Sequence, residues 1–383
     1  MKLTQIRHSA APLSLALLTF VACGQAVPSS TPATPIAVAE KGAGFNVTLD
    51  PADRNAAIQY LRLSQTMTAD VSRKFAEISN TELFEKIGYS KAALEAEPAL
   101  ISAKELTTVA RPQDWVAASR LAKCDFENAT EEGFAMLLPH LGQLRAGARM
   151  LRFFARTSFI ENEAMLAAEY LEAIVRIGNH TSGDGVLISS LVGIAVGSLA
   201  LTEMQSAATA GVLTTQARDH LLGVLELVNA DDPMLTRASI YAERDLSLNH
   251  LLRTYTGPDA GTQLDESGIF GNTGEDDART KLRRQKLREM DGRALAASVE
   301  EARVVYDELV AAWGDEDWRP RFEELETKVQ SEEFGLIAAL LTPSIKNVKA
   351  SQVKFIEELA LTRETLKNAK LSDDAATVAP AGR

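Results

Sequence analysis

The five histidines of this chain stand singly, at positions 8, 140, 180, 220 and 250. None is paired with another in a His-Glu-x-x-His spacing, so the ligand set of a zinc hydrolase is missing. No Cys-x-x-Cys, phosphate-cradling P-loop or Gly-x-Ser-x-Gly element occurs, which leaves dithiol chemistry, nucleotide binding and a strained serine nucleophile without support. Ser351-Gln352-Val353-Lys354 has the spacing in which a lysine amine takes a serine proton. Its Lys-Thr-Gly companion is absent, and Gln352 falls within an apolar seam. The cysteines are Cys23 and Cys124. If Cys23 is modified or removed, Cys124 has no partner within the chain, and a lone cysteine reads as a small apolar packing residue. No metal site and no cofactor are expected.

One carboxylate has a sharper rival reading. Asp265-Glu266-Ser267-Gly268 is similar to the Glu-Ser element of lytic transglycosylases, in which a glutamate serves as general acid and base. Such a Glu266 would need burial in a saccharide groove to raise its pKa. The Gly-Leu-Met-Gln element of those enzymes is absent downstream. The same acidic stretch fails the calcium-loop template, since Ser267 and Ile269 stand where carboxylates belong.

The most informative chemistry lies at the N-terminus. Lys2 and Arg7 precede an uncharged run from Ser9 to Ala22 that ends at Cys23. This is the anatomy of an export signal, and its apolar core is shorter than the ~20 residues a spanning helix needs. Phe20-Val21-Ala22-Cys23 resembles the lipobox of bacterial lipoproteins, which implies a signal peptide over 1–22 and lipidation of Cys23. Gly24-Gln25-Ala26 offers an alternative cleavage that would release a soluble periplasmic product beginning at Val27. Residues 23–50, rich in Pro, Ser, Thr and Ala, read as a flexible linker, because such a composition buries too little apolar surface to offset its ordering entropy. About 25 such residues would reach roughly 25–30 Å.

Charge and composition narrow the partners. Without residues 1–22 the chain carries 38 basic and 52 acidic residues, a net charge of −14. That disfavours nucleic acid and adhesion to anionic lipid, leaving an acyl chain as the membrane contact. With 46% hydrophobic and 6% aromatic residues, the remainder suits a packed helical protein.

Periodicity predicts an all-α fold of antiparallel helix hairpins in an array or bundle, with no sheet. Helices are expected near 52–78, 91–110, 113–122, 139–160, 163–177, 184–209, 214–228 and 233–254. Asp50-Pro51 and Asp232-Pro233 look like N-caps followed by a first-turn proline, and Gly178 and Gly211 like helix stops. His180 then belongs to a turn. The uncharged run Gly185 to Thr202 could span a membrane by length, with Gly193 and Gly197 in GxxxG spacing. Its serines and acidic flanks (Asp184, Glu203) favour a central helix buried on all sides.

Within residues 136–204 the chain resembles a family of uncharacterised helical proteins abundant in planctomycete-type bacteria. The resemblance rests on Leu138-Pro139-His140-Leu141, Leu144-Arg145, the Ala/Leu-rich helix pair and Leu187-Ile188 followed by Leu191-Val192-Gly193-Ile194-Ala195. It implies an exported or membrane-associated helical array and carries no assigned activity, cofactor or site residue.

The organisation that follows is a helical array over 51–255, an acidic Gly-rich loop over 256–277, a C-terminal helical bundle over 278–371 and a disordered tail over 372–383. The basic run Arg279, Lys281, Arg283, Arg284, Lys286 and Arg288 reads as a solvated helix face, with an anionic partner as the alternative. Leu295, Val299, Ala302, Tyr306, Leu309 and Trp313 form one seam and Ile345, Val348, Gln352, Phe355, Leu359, Thr362 and Leu366 another. Such seams serve either internal packing or a homodimer. The expected role is a binding or scaffold module of the cell envelope, reaching the membrane through its N-terminal lipid and meeting a protein partner or a second copy. The alternative is a cell-wall hydrolase acting through Glu266.

Overall fold

The computed structural model describes residues 54–80, 82–128, 132–133, 136–270, 278–342 and 345–372. The signal segment, Cys23, the linker, the Asp50-Pro51 cap and residues 373–383 lie outside them. Among the described residues the chain is all-α with no strand; Asn55 and Lys123 make an isolated parallel backbone bridge.

The chain begins with α1 (Ala56–Thr66) and α2 (Ala69–Asn80), where one helix was expected. The Asn55 side chain caps α1 by accepting from Ala57 N at 3.1 Å. Short helices follow: α3 (Glu82–Lys86), α4 (Lys91–Glu95), α5 (Pro98–Lys104), α6 (Thr107–Ala110) and α7 (Pro112–Ser119). Pro98 and Pro112 sit at the first turns of α5 and α7. The expected 91–110 helix is three pieces, α4 to α6; Pro98, which cannot continue a helix but suits its start, accounts for the break between α4 and α5.

The centre is built by α8 (Pro139–Ile160), α9 (Ala164–Ser182) and α10 (Leu187–Ala210), packed against one another. Gly178 does not stop α9. It lies where α9 crosses α10, and a Cβ built there would fall 3.1 Å from the Gly193 carbonyl oxygen. A Cβ at Gly193 would lie 2.8 Å from the Gly178 carbonyl, so the two glycines let two backbones meet. Gly211 does end α10, at φ 71° in the left-handed region. The helix is long and apolar enough to cross a membrane, yet 61% of its most apolar stretch is buried inside the protein. It is not covered on every side: Ile188, Ala195 and Thr202 form a line of exposure at seven-residue intervals.

Beyond α11 (Thr215–Leu225), a left-handed pair, Met234 at φ 55° and Leu235 at φ 50°, leads into α12 (Thr236–Thr254). Asp232 caps α12 from a distance, accepting from Arg237 N at 2.8 Å and Ala238 N at 3.1 Å. The described part of the 256–277 stretch contains a short helix, α13 (Ala260–Glu266). Two glycines seat it: Gly261 N donates to Met290 O at 3.0 Å and Gly292 N to Gly257 O at 2.8 Å. Any Cβ at Gly261 would strike the Leu287 carbonyl at 1.8 Å.

The chain closes with α14 (Ala278–Arg288), α15 (Gly292–Ala311), α16 (Trp318–Gln330), α17 (Gly335–Leu341) and α18 (Ile345–Lys367). Two apolar cores result. The first joins α1 to α11 with Phe355, Leu359 and Leu366 of α18; the second joins α12 to α17 with Leu187 of α10 and Ile345 and Val348 of α18. The cores therefore do not part at residues 256–277, because α12 belongs to the second and the end of α18 to the first. Both seams are buried within the chain, so neither is free for a homodimeric coiled coil.

Candidate functional site

The richest gathering of reactive side chains surrounds the irregular segment 121–126, which crosses the start of α1 and the turn between α9 and α10. Ala56 N donates to Lys123 O at 2.8 Å, and the Asn55 amide both donates to Asp125 O at 2.8 Å and accepts from Asp125 N at 3.0 Å. Phe126 stacks on His140 with ring centroids 4.0 Å apart. His140 Nε2 lies 2.5 Å from Asp184 Oδ2, which also accepts from Ser189 Oγ at 3.1 Å.

His180 is on α9 and not in a turn, because the helix runs on past Gly178 to Ser182. Its Nδ1 lies 2.9 Å from the Tyr60 hydroxyl, and the ring also hydrogen-bonds the Leu121 backbone. Burial, with Arg176 adding repulsion, lowers its pKa to about 4, so the ring is neutral at pH 7. Cys124 is half-buried and unpaired. Burial first, then the charges of Asp184 and Asp125, pushes its thiol up to about 12. A thiol so held stays protonated at neutral pH and is a poor nucleophile. The cluster clasps the segment to α1, α8 and α9, and its geometry does not assemble an attacking group.

Glu266 is exposed at the end of α13. The buried carboxylate is its neighbour Asp265, held by Arg284 at 2.6 Å and Arg288 at 2.5 Å. A general acid needs burial to keep its proton near neutral pH, so Glu266 lacks the setting that role requires. The basic face of α14 is likewise engaged: Arg283 pairs with Glu332 at 3.2 Å, Lys286 with the same carboxylate at 2.8 Å, and Arg279 donates to the Gln330 carbonyl.

The serine–lysine pair is also dispersed. Ser351 Oγ donates to Asn347 O at 2.8 Å, while Lys354 is exposed and lies 3.7 Å from Glu358. Gln352 is the polar hinge of this helix, accepting from Trp313 Nε1 at 2.8 Å and Lys349 Nζ at 3.1 Å and donating to Asp232 Oδ1 at 3.1 Å.

Sequence reasoning missed the strongest charged group, Glu203, which it takes as a mere flank of the apolar run. Glu203 is 0% exposed at the heart of α10. It accepts from Arg156 Nε at 2.5 Å and Nη2 at 2.7 Å, from Arg152 Nε at 3.1 Å and from the Tyr89 hydroxyl at 2.8 Å. Arg156 also donates to Phe84 O at 2.8 Å and lies over the Phe84 ring at 4.3 Å. The available signal was Arg152 and Arg156 one turn apart on an otherwise apolar face of α8, demanding a buried counter-charge. A second such group is Glu172, paired with Arg120 at 2.9 Å and Arg176 at 2.7 Å, with His220 Nε2 at 3.2 Å.

Among the described residues, no three His, Cys, Asp or Glu side chains gather to hold a metal ion. An open groove of about 400 Å³ lies between α1 and α7. No family model, curated protein or solved structure matches the chain.

Proposed function

We propose that this chain is an exported helical binding or scaffold module of the cell envelope, tethered to a membrane by a diacylglyceryl group on Cys23. The observation that carries this reading is the Lys2/Arg7 start, the uncharged run from Ser9 to Ala22 and the Cys23 that ends it. Supporting it, three buried carboxylates of the helical body are held by arginines. Glu203, Asp265 and Glu172 each hold two arginines, and the Cys124 thiol is kept protonated. Such groups fix helices against helices, as a body that presents surface requires. The planctomycete-type resemblance belongs to the same proposal, its Leu144 and Gly193 lying buried in the α8–α10 centre. The acidic net charge points to a protein partner and an acyl-mediated membrane contact, not to nucleic acid.

The test is intact mass and membrane partitioning after expression in a bacterial host, beside Cys23→Ala. A diacylglyceryl-sized increment on Cys23, lost with membrane association in the variant, is expected. An unmodified product beginning at Val27 would make the protein soluble and periplasmic and end the tether reading.

A further inference from the structure

Ile188, Val192, Ala195, Leu199, Thr202 and Ser206 of α10 follow one another at alternating four- and three-residue steps over about 27 Å. Ile188, Ala195 and Thr202 are exposed and the other three half-buried. This is the spacing of a coiled-coil seam, and here it faces solvent. Its alanine, threonine and serine are small enough for a second helix to come close.

Two helices flank the seam and run in its direction. His140 at the start of α8 meets Asp184 just ahead of α10 at 2.5 Å, and Arg152 further along α8 meets Glu203 at 3.1 Å. On the other side, Ser198 Oγ donates to Glu358 of α18 at 2.7 Å and Gln205 Nε2 to Thr362 at 2.7 Å. Leu361, beside Thr362, is 57% exposed. Arg145 and Arg149 precede Arg152 by seven and three residues, so they share its face of α8 and stand level with the middle of the seam. Both are half-buried, and among the described residues neither makes a hydrogen bond or an ion pair. Burial, and then the Arg145 charge, lower the Arg149 pKa. Two arginines one turn apart, drawn partly out of water with no carboxylate between them, need a negative charge from outside. A second copy does not supply it. Laid antiparallel along the seam it would set these arginines against their own counterparts, and laid parallel it would offer them α18, where Glu358 is already engaged by Ser198 and Lys354.

We propose that this seam docks an amphipathic helix of a partner protein, with the apolar face of that helix on Ile188, Val192, Ala195 and Leu199 and its carboxylates along one edge beside Arg145 and Arg149. The proposal rests on the binding-module reading for the existence of a partner and names that partner's chemistry. It makes no use of Cys23, so an unmodified Cys23 leaves it standing, and loss of the docking site leaves the lipidation result standing.

The test measures, by fluorescence anisotropy with the full chain, binding of a labelled synthetic helix of about 21 residues that carries leucine at four-three positions and glutamate along the flanking edges. The same peptide with lysine at the flanks should bind about tenfold more weakly or not at all, and Arg145→Gln with Arg149→Gln should weaken the glutamate peptide about tenfold. Ala195→Asp, at an exposed position, should abolish binding, while Arg253→Gln with Arg293→Gln, an exposed pair of equal charge elsewhere, should leave it unchanged. The urea midpoint of the Arg145/Arg149 double variant should stay level or rise, because the pair holds nothing within the chain. Failure of the glutamate peptide to saturate, equal binding of the two peptides, equal loss in the two double variants or a lowered urea midpoint would each overturn the proposal. So would a dimer of the full chain that Ala195→Asp dissolves, which would give the seam to a second copy, or capture of phosphatidylglycerol vesicles that needs both arginines while the peptide is ignored, which would give it to lipid.

Discussion

Glu203 shows what one buried charge does to the energetics of this protein. Its carboxylate is fully buried and takes hydrogen bonds from two arginines and a tyrosine, so removing its charge strands Arg156 in a low-dielectric interior and leaves Arg152 with Glu85 alone. Glu203→Gln should lower the unfolding free energy by about 3–5 kcal/mol, read by urea denaturation, with circular dichroism confirming a native fold before the transition. A loss below about 1 kcal/mol would mean that water already solvates the pair. His180 gives a pH signature. Its folded pKa of about 4 lies below the ordinary value of 6.5, so the neutral ring contributes stability above pH 6.5. That contribution, roughly 3 kcal/mol, should fall away as pH drops from about 6.5 towards 4. His180→Gln should flatten the stability profile in that window. An unchanged slope would show that carboxylates alone govern acid unfolding.

At the scale of elements, the crossing of α9 and α10 is the tightest joint. The Gly178 and Gly193 backbones face each other there, with Ser182 Oγ 2.0 Å from where a Gly193 Cβ would lie. Gly193→Val should destabilise by about 1–3 kcal/mol through overpacking, or more if the helices cannot separate. Gly223, whose added Cβ would meet nothing within 4 Å, is the matched control: Gly223→Ala should be neutral or slightly stabilising within its helix. Thermal melts of the two variants decide it, and equal shifts would show that the joint yields.

At the scale of the whole molecule, two helices serve both cores of the described residues. Ile345 and Val348 of α18 belong to the second core and Phe355, Leu359 and Leu366 to the first, while Leu191 of α10 packs against both. Trp115 reports on the first core and Trp313 and Trp318 on the second. Single-core reporters made by Trp→Phe substitution should therefore show coincident urea transitions. Transitions separated along the urea axis would mean that α18 does not couple the two.

Helix existence, the ends at Pro139 and Gly211 and the buried seams of α15 and α18 were legible from residue types alone. These features arise from local causes: apolar spacing, proline at a first turn, glycine in a left-handed cap. The tertiary structure decided what distance along the chain hides. Gly178 has the residue type of a stop but serves a crossing, since its neighbour is Gly193 and not solvent. His180 is accordingly helical. Asp265, not Glu266, is the buried carboxylate, because one residue's turn about α13 carries the side chain from the arginines of α14 to water. Which charges pair, and which groove stands open at the start of α1, depend on contacts between residues tens of positions apart, and no local pattern encodes them.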